Sequence, residues 1–139
     1  MKLDITTPFT RVLQTEDAVH VRAEDSSGAF GILPGHADFL TFLAVSVLTW
    51  RDTPGREHYV AVRGGMLSVR DGSSISVATP EAVAGEDLRR LEADVVTRFQ
   101  RQLDEERAAH TAAQRLHLAA VRQIMRLLRP EPGHAPPVG

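Results

Sequence analysis

Among its 139 residues the chain has no cysteine, which excludes disulfides, thiol nucleophiles, iron–sulfur clusters and cysteine zinc sites. Lysine is almost missing too. The single one is Lys2, and the other fifteen cations are Arg, so neither a phosphate-loop lysine nor a buried Schiff-base lysine is available. Aromatics make up 5% of the chain, with one Trp and one Tyr, too few for a base-stacking surface. Net charge is −2, so no global basic field points to nucleic acid. Apolar runs are only a few residues long, too short to span a membrane as a helix. The alternating pattern begins at Met1-Lys2-Leu3-Asp4 with nothing resembling a leader before it. The expectation is a cytosolic protein, or one held peripherally on a membrane complex.

Catalytic constellations are missing as well. The histidines at 20, 36, 58, 110, 117 and 134 form no i,i+3 or i,i+4 pair for a metal, and no G-x-S-x-G presents a serine. The glycines at 28, 31 and 35 do not fit G-x-G-x-x-G, and no acidic cluster has calcium-loop spacing. The chain is expected to be no enzyme and to hold no cofactor or metal.

What is present divides into two parts with different periods. Eight of the ten glycines lie within residues 1–85, and none occurs with any proline from 86 to 129. Residues 2–79 alternate with period two. Leu3 and Ile5 mark one strand, and Val19, Val21 and Ala23 mark one face of another. Further strands are expected at 45–51, 58–63, 66–70 and 74–78. Turn signals separate them at Asp25-Ser26-Ser27-Gly28, Asp52-Thr53-Pro54-Gly55, Gly64-Gly65 and Asp71-Gly72. Short half-buried strands at this spacing predict an antiparallel β sandwich over residues 1–85.

From Glu86 the period becomes helical. Leu88, Leu91, Val95, Phe99 and Leu103 form one stripe; Leu116, Ala120, Ile124 and Leu127 form a second. The pattern weakens near His110-Thr111, leaving a helical hairpin or one long helix over 86–129. Residues 130–139 read as a disordered Pro-rich tail. The fold class is therefore α+β, a sandwich followed by a helical domain. From Arg107 to Arg129 there are five Arg and no acid. Arg115, Arg122, Arg126 and Arg129 fall within roughly 60° of one helix face. A surface helix ordinarily mixes signs, so this stripe calls for an acidic partner. A free-standing module that binds an acidic partner through the stripe is one reading.

The segment Phe30-Gly31-Ile32-Leu33-Pro34-Gly35-His36 concentrates glycine, proline and large apolar groups in a non-helical stretch, as a shaped loop would. Gly31-Ile32-Leu33-Pro34-Gly35-His36-Ala37, followed by Leu40-Thr41, closely resembles the G-I-L/Y-P-G-H-A-x-L-L-T signature of the epsilon subunit of F-type ATP synthases. Gly64-Gly65-Met66-Leu67-Ser68-Val69 is similar to that family's second signature, G-G-hydrophobic-L-x-V. The resemblance implies a non-catalytic rotor subunit, peripheral on the cytoplasmic face of the bacterial inner membrane, that couples rotation to ion translocation and modulates ATP hydrolysis. It implies a sandwich that docks on the gamma subunit and the c ring through Phe30, Gly31, Ile32, Leu33, Pro34, Gly35 and His36. It also implies a regulatory helix whose Arg115, Arg122, Arg126 and Arg129 meet an acidic segment of the beta subunit. Two positions depart from the family. Val45-Ser46 stands where many members have Pro-Gly. Leu88-Arg89-Arg90-Leu91-Glu92-Ala93 reverses the signs of the I/L-D-x-x-R-A pattern that some members use for ATP, so no ATP binding of that kind is expected here.

Overall fold

A computed structural model of the chain describes residues 1–128; the tail expected at 130–139, and Arg129, lie outside them. Eight strands come first: β1 (Lys2–Thr6), β2 (Arg11–Thr15), β3 (Ala18–Asp25), β4 (Gly28–Ile32), β5 (Phe39–Asp52), β6 (Glu57–Arg70), β7 (Ser74–Ala78) and β8 (Ala82–Gly85). A helical run follows, made of α1 (Leu88–Arg90), a π-helical turn at Leu91–Val96 and α2 (Thr97–Leu128). The strands are ordered β2-β1-β7-β6-β5-β3-β4, with β8 paired to β6.

Two 14-residue strands, β5 and β6, serve both layers of the sandwich. Val62, Ala61, Val60 and Tyr59 of β6 pair with β8, whereas Met66 through Arg70 pair with β7. The two pair with each other from Phe39↔Val69 to Arg51↔Glu57, and the ladder skips Ala44 and Gly64. At that skip the inward face slips by one residue, so Leu43 and then Ser46 are buried on β5, and Val62 and then Leu67 on β6. Gly64-Gly65, expected as a turn between two strands, is instead the bend inside one strand. Gly65 has φ 110, and a Cβ on it would lie 2.2 Å from the Ala78 carbonyl oxygen. No other residue fits.

Leu3, Ile5, Leu67, Val69, Ile75 and Val77 from one layer meet Val21, Ile32, Leu48, Trp50, Val60 and Val62 from the other, forming the core. Two details depart from the simple alternation. β1 runs parallel to β7, so the sandwich is not wholly antiparallel. Register also shifts between Ala18 and His20 on β3, which buries Ala18 and Val21 and leaves Val19 half-buried. The Asp71-Gly72 turn is as expected: both residues have positive φ, and Ser73 N–H donates to the Arg70 carbonyl at 3.3 Å.

The chain divides into two compact units, Met1–Arg101 and Gln102–Gly139. In the first, Asp87 caps the helical run, its carboxylate accepting from Arg90 N–H at 3.3 Å. Leu91 and Phe99 are buried on the outer side of the sheet against Ala61, with Val45, Val47, Tyr59 and Val83 around them. In the second, residues 104–128 are helical and exposed throughout. The helix runs through His110-Thr111 without a break, so of the two sequence alternatives the single long helix is the one observed.

Two outcomes follow from this packing. Gly65→Ala should destabilise by at least about 2 kcal/mol through backbone strain and the clash with Ala78. Gly28→Ala, at φ 117 with open space around it, should cost only about 1 kcal/mol; equilibrium denaturation of both variants measures the difference. A chain ending at Arg101 should melt cooperatively near the full-length temperature. One ending at Gly85 loses the burial of Leu91 and Phe99, about 3–6 kcal/mol together, and should melt well below it in calorimetry.

Candidate functional site

The signature segment becomes half strand, half turn. Gly28–Ile32 is β4, paired to β3 through Val21↔Ile32 and Ala23↔Phe30, so its first half is not the loop that its glycine content suggested. Ile32 is fully buried in the core. Leu33-Pro34-Gly35-His36 then closes a tight turn, in which His36 N–H donates to the Leu33 carbonyl at 3.2 Å. Pro34 sets φ for the first central position, and Gly35, at φ 87, supplies the second.

The turn is held from both sides. Gly35 N–H donates to the Gly72 carbonyl at 2.8 Å, and a Cβ on Gly72 would stand 3.0 Å from Gly35 Cα. Asp38 accepts from Asp71 N–H at 3.0 Å. The His36 ring meets Phe39 edge-on at 5.8 Å, and Phe39 meets Phe30 edge-on at 5.6 Å. Thr41, the polar end of the signature, donates to Asp25 Oδ2 at 2.7 Å, while Ser27 N–H and Oγ donate to Asp25 Oδ1 at 2.8 and 2.5 Å. The hydroxyl of Ser27, then that of Thr41, hold the Asp25 carboxyl below its ordinary range. The β3–β4 turn is thereby tied to β5.

This framework presents apolar groups to solvent. Leu33 stands at the tip of the turn, 60% exposed, beside the exposed Pro34 and Gly35. Along β5, Leu40 and Phe42 point outward at 60% and 74% exposure; Met66, opposite Phe42 on β6, and Phe9, in the β1–β2 turn, are exposed too. Thr7, Pro8, Phe42, Met66, Thr79 and Pro80 line a shallow groove there. Sequence reasoning passed over Phe9, Phe42 and Met66. The available signal was Phe39-Leu40-Thr41-Phe42-Leu43, a strand with apolar groups on both faces, which calls for a cover on each.

The cationic stripe belongs to the second unit. Arg115, Arg122 and Arg126 are all exposed on α2, as are Leu116, Ile124, Met125, Leu127 and Leu128. Among the described residues no group of three or more His, Asp or Glu could hold a metal. No described helix is long and apolar enough to cross a membrane. What these surfaces offer is recognition by shape and charge.

The comparisons agree with that character. A family model described as ATP synthase, delta/epsilon chain, β-sandwich domain matches residues 1–85. The chain is 45% identical over 135 residues to ATP synthase epsilon chain 2 of Paraburkholderia xenovorans, covering 97% of each chain. It is 44% identical to ATP synthase epsilon chain 2 of Cereibacter sphaeroides, covering 96% of this chain and 91% of that one. An ATP synthase epsilon chain of Citrifermentans bemidjiense is 36% identical over 94 residues, 67% of each. Among solved structures, a chain in the OSCP/F1/c-ring part of the Euglena gracilis mitochondrial ATP synthase superposes with a TM-score of 0.58 at 25% identity, over 76% of this chain and 62% of that one. A sandwich matched along its whole length, and bacterial relatives matched nearly end to end, show that the chain belongs to the epsilon chains of F-type ATP synthase, non-catalytic subunits of the central stalk.

Proposed function

We propose that the chain couples rotation to ion translocation and restrains ATP hydrolysis. In this reading the sandwich is the docking domain: the Leu33–His36 turn and the apolar face of Leu40, Phe42 and Met66 meet the gamma subunit and the c ring. The observation that carries it is the construction of the turn. Its backbone is fixed by hydrogen bonds on both sides, yet its tip is apolar and exposed. A preformed apolar surface binds without the entropy of ordering a loop, as a permanent assembly contact requires. The Euglena chain with which it superposes comes from an F1/c-ring assembly.

The helix is the regulatory element. Arg115, Arg122 and Arg126, with Arg129 beyond the described residues, face an acidic segment of the beta subunit. The absence of acids from 107 to 128 supports this, because no charge within that stretch neutralises the stripe. The chain is held peripherally at the cytoplasmic face of the bacterial inner membrane by the complex rather than by a span of its own. The two relatives matched nearly end to end both bear the number 2 in their names, which supports service in a second ATP synthase of the cell.

Because the chain has no cysteine, a single Cys is a clean probe. Leu33→Cys, carrying a short photoactivatable cross-linker in the assembled complex, should join to gamma or c in high yield. The same probe at Arg22→Cys, exposed on β3, should react less. Equal or no joining at both positions would refute docking through the turn.

A further inference from the structure

The helical run is not uniform. Between α1 and α2 it passes through the π turn Leu91–Val96, and the Thr97 hydroxyl reaches back five residues to the Glu92 carbonyl at 3.4 Å. A π turn is the rarer and less stable arrangement, so a cause has to be found.

The cause lies in the angles. On a regular helix Leu91 and Phe99 are eight residues apart, which places them about 80° from each other. Val96 would sit about 140° from Leu91, well off the same face. A wide apolar face accommodates the first separation but not the second, and the burial departs from a regular helix at Val96. Leu91 and Phe99 are both buried in one cluster with Ala61, and the adjacent Val95 and Val96 are both half-buried against it. One residue absorbed by the π turn leaves seven effective steps, which brings Phe99 to within about 20° of Leu91 and sets Val95 and Val96 on either side. The seat of Leu91 is itself shaped. It lies over Gly85, where a Cβ would come within 3.1–3.3 Å of its side-chain carbons. Next to Phe99, Arg98 reaches Glu81 at 3.5 Å, and Glu81 also faces Arg63 at 4.0 Å.

We infer that the π turn is a register device, held in place by the seating of Leu91 and Phe99 on the sheet. When Phe99 leaves its seat, residues 91–96 return to α-helix and α2 turns by about 100° about the helix axis relative to Leu88–Arg90. Release and rotation are then one event: a helix that detaches also changes the side on which it carries Arg115, Arg122 and Arg126. The inference rests on the rotor reading only for what that rotation regulates; the device itself is a property of the isolated chain.

The test is nuclear magnetic resonance of the full-length isolated chain, using couplings across hydrogen bonds to identify which carbonyl the amides of Val95 and Val96 donate to. In the wild type, five-back acceptors are expected within the turn. Phe99→Ala should shift them to four-back. Deletion of Ala93, an exposed residue inside the turn, should also give four-back bonds but keep contact between Phe99 and Ala61, with a melting temperature no lower than wild type. Five-back bonds persisting in Phe99→Ala would overturn the inference, since local sequence alone would then hold the turn. So would loss of the Phe99–Ala61 contact on deletion of Ala93. If Phe99→Ala does not fold, the deletion decides alone. None of these readouts involves gamma, the c ring or hydrolysis, so failure here is separate from failure of the rotor reading.

Discussion

Everything in the sandwich depends on how closely β6 passes β7 at Gly65. With a would-be Cβ 2.2 Å from the Ala78 carbonyl oxygen, that position admits no side chain. The contact lets one continuous strand bend from the layer containing β8 to the layer containing β7, and β5 follows it with its own slip at Ala44. Because both long strands bend together, no separate linker is needed between the layers. The sheet's apolar residues change faces at the bend, and the core closes around Leu43, Leu67 and Val62. The same bend exposes Phe42 and Met66 side by side on the outer surface. A single backbone constraint therefore sets both the core and the proposed docking face.

The helical run uses a second constraint of the same kind. Gly85 clears space for Leu91, Ala61 is small enough to sit beneath Leu91 and Phe99, and the π turn supplies the phase that brings both down together. Side-chain volume thus sets backbone geometry at two places, once in a strand and once in a helix. The first unit ends at Arg101, just after Phe99. Beyond it, α2 carries Leu116, Ile124 and Leu127 exposed on a face nearly opposite its arginines. An amphipathic helix with both faces in solvent is in a state suited to binding rather than to packing.

Much of this was legible in the sequence, and the failures have physical reasons. The change from period two to period 3.6 at Gly85-Glu86 marked where strands end, since β8 ends at Gly85 and α1 begins at Leu88. Asp71-Gly72 gave its turn because both residues tolerate positive φ. Gly64-Gly65 misled because a glycine pair serves a bend inside a strand as well as a turn between strands, and only the neighbouring β7 backbone distinguishes them. The parallel pairing of β1 with β7 joins residues about seventy positions apart, beyond any local signal. The stripe Leu88, Leu91, Val95 and Phe99 fits an ordinary helix, so nothing in it announced the π turn. Of the site, the turn Leu33–His36 was found through its signature, but the face of Phe9, Phe42 and Met66 was not, because its groups come from three separated segments.

The central claim is that one chain holds a docking unit, Met1–Arg101, and a regulatory helix beyond it. The most direct measurement is ATP hydrolysis by the complex reconstituted with the full chain or with a chain ending at Arg101. Equal incorporation of both, with faster hydrolysis for the shorter, is the predicted result. Failure of the shorter chain to incorporate, or unchanged hydrolysis despite incorporation, would contradict the account.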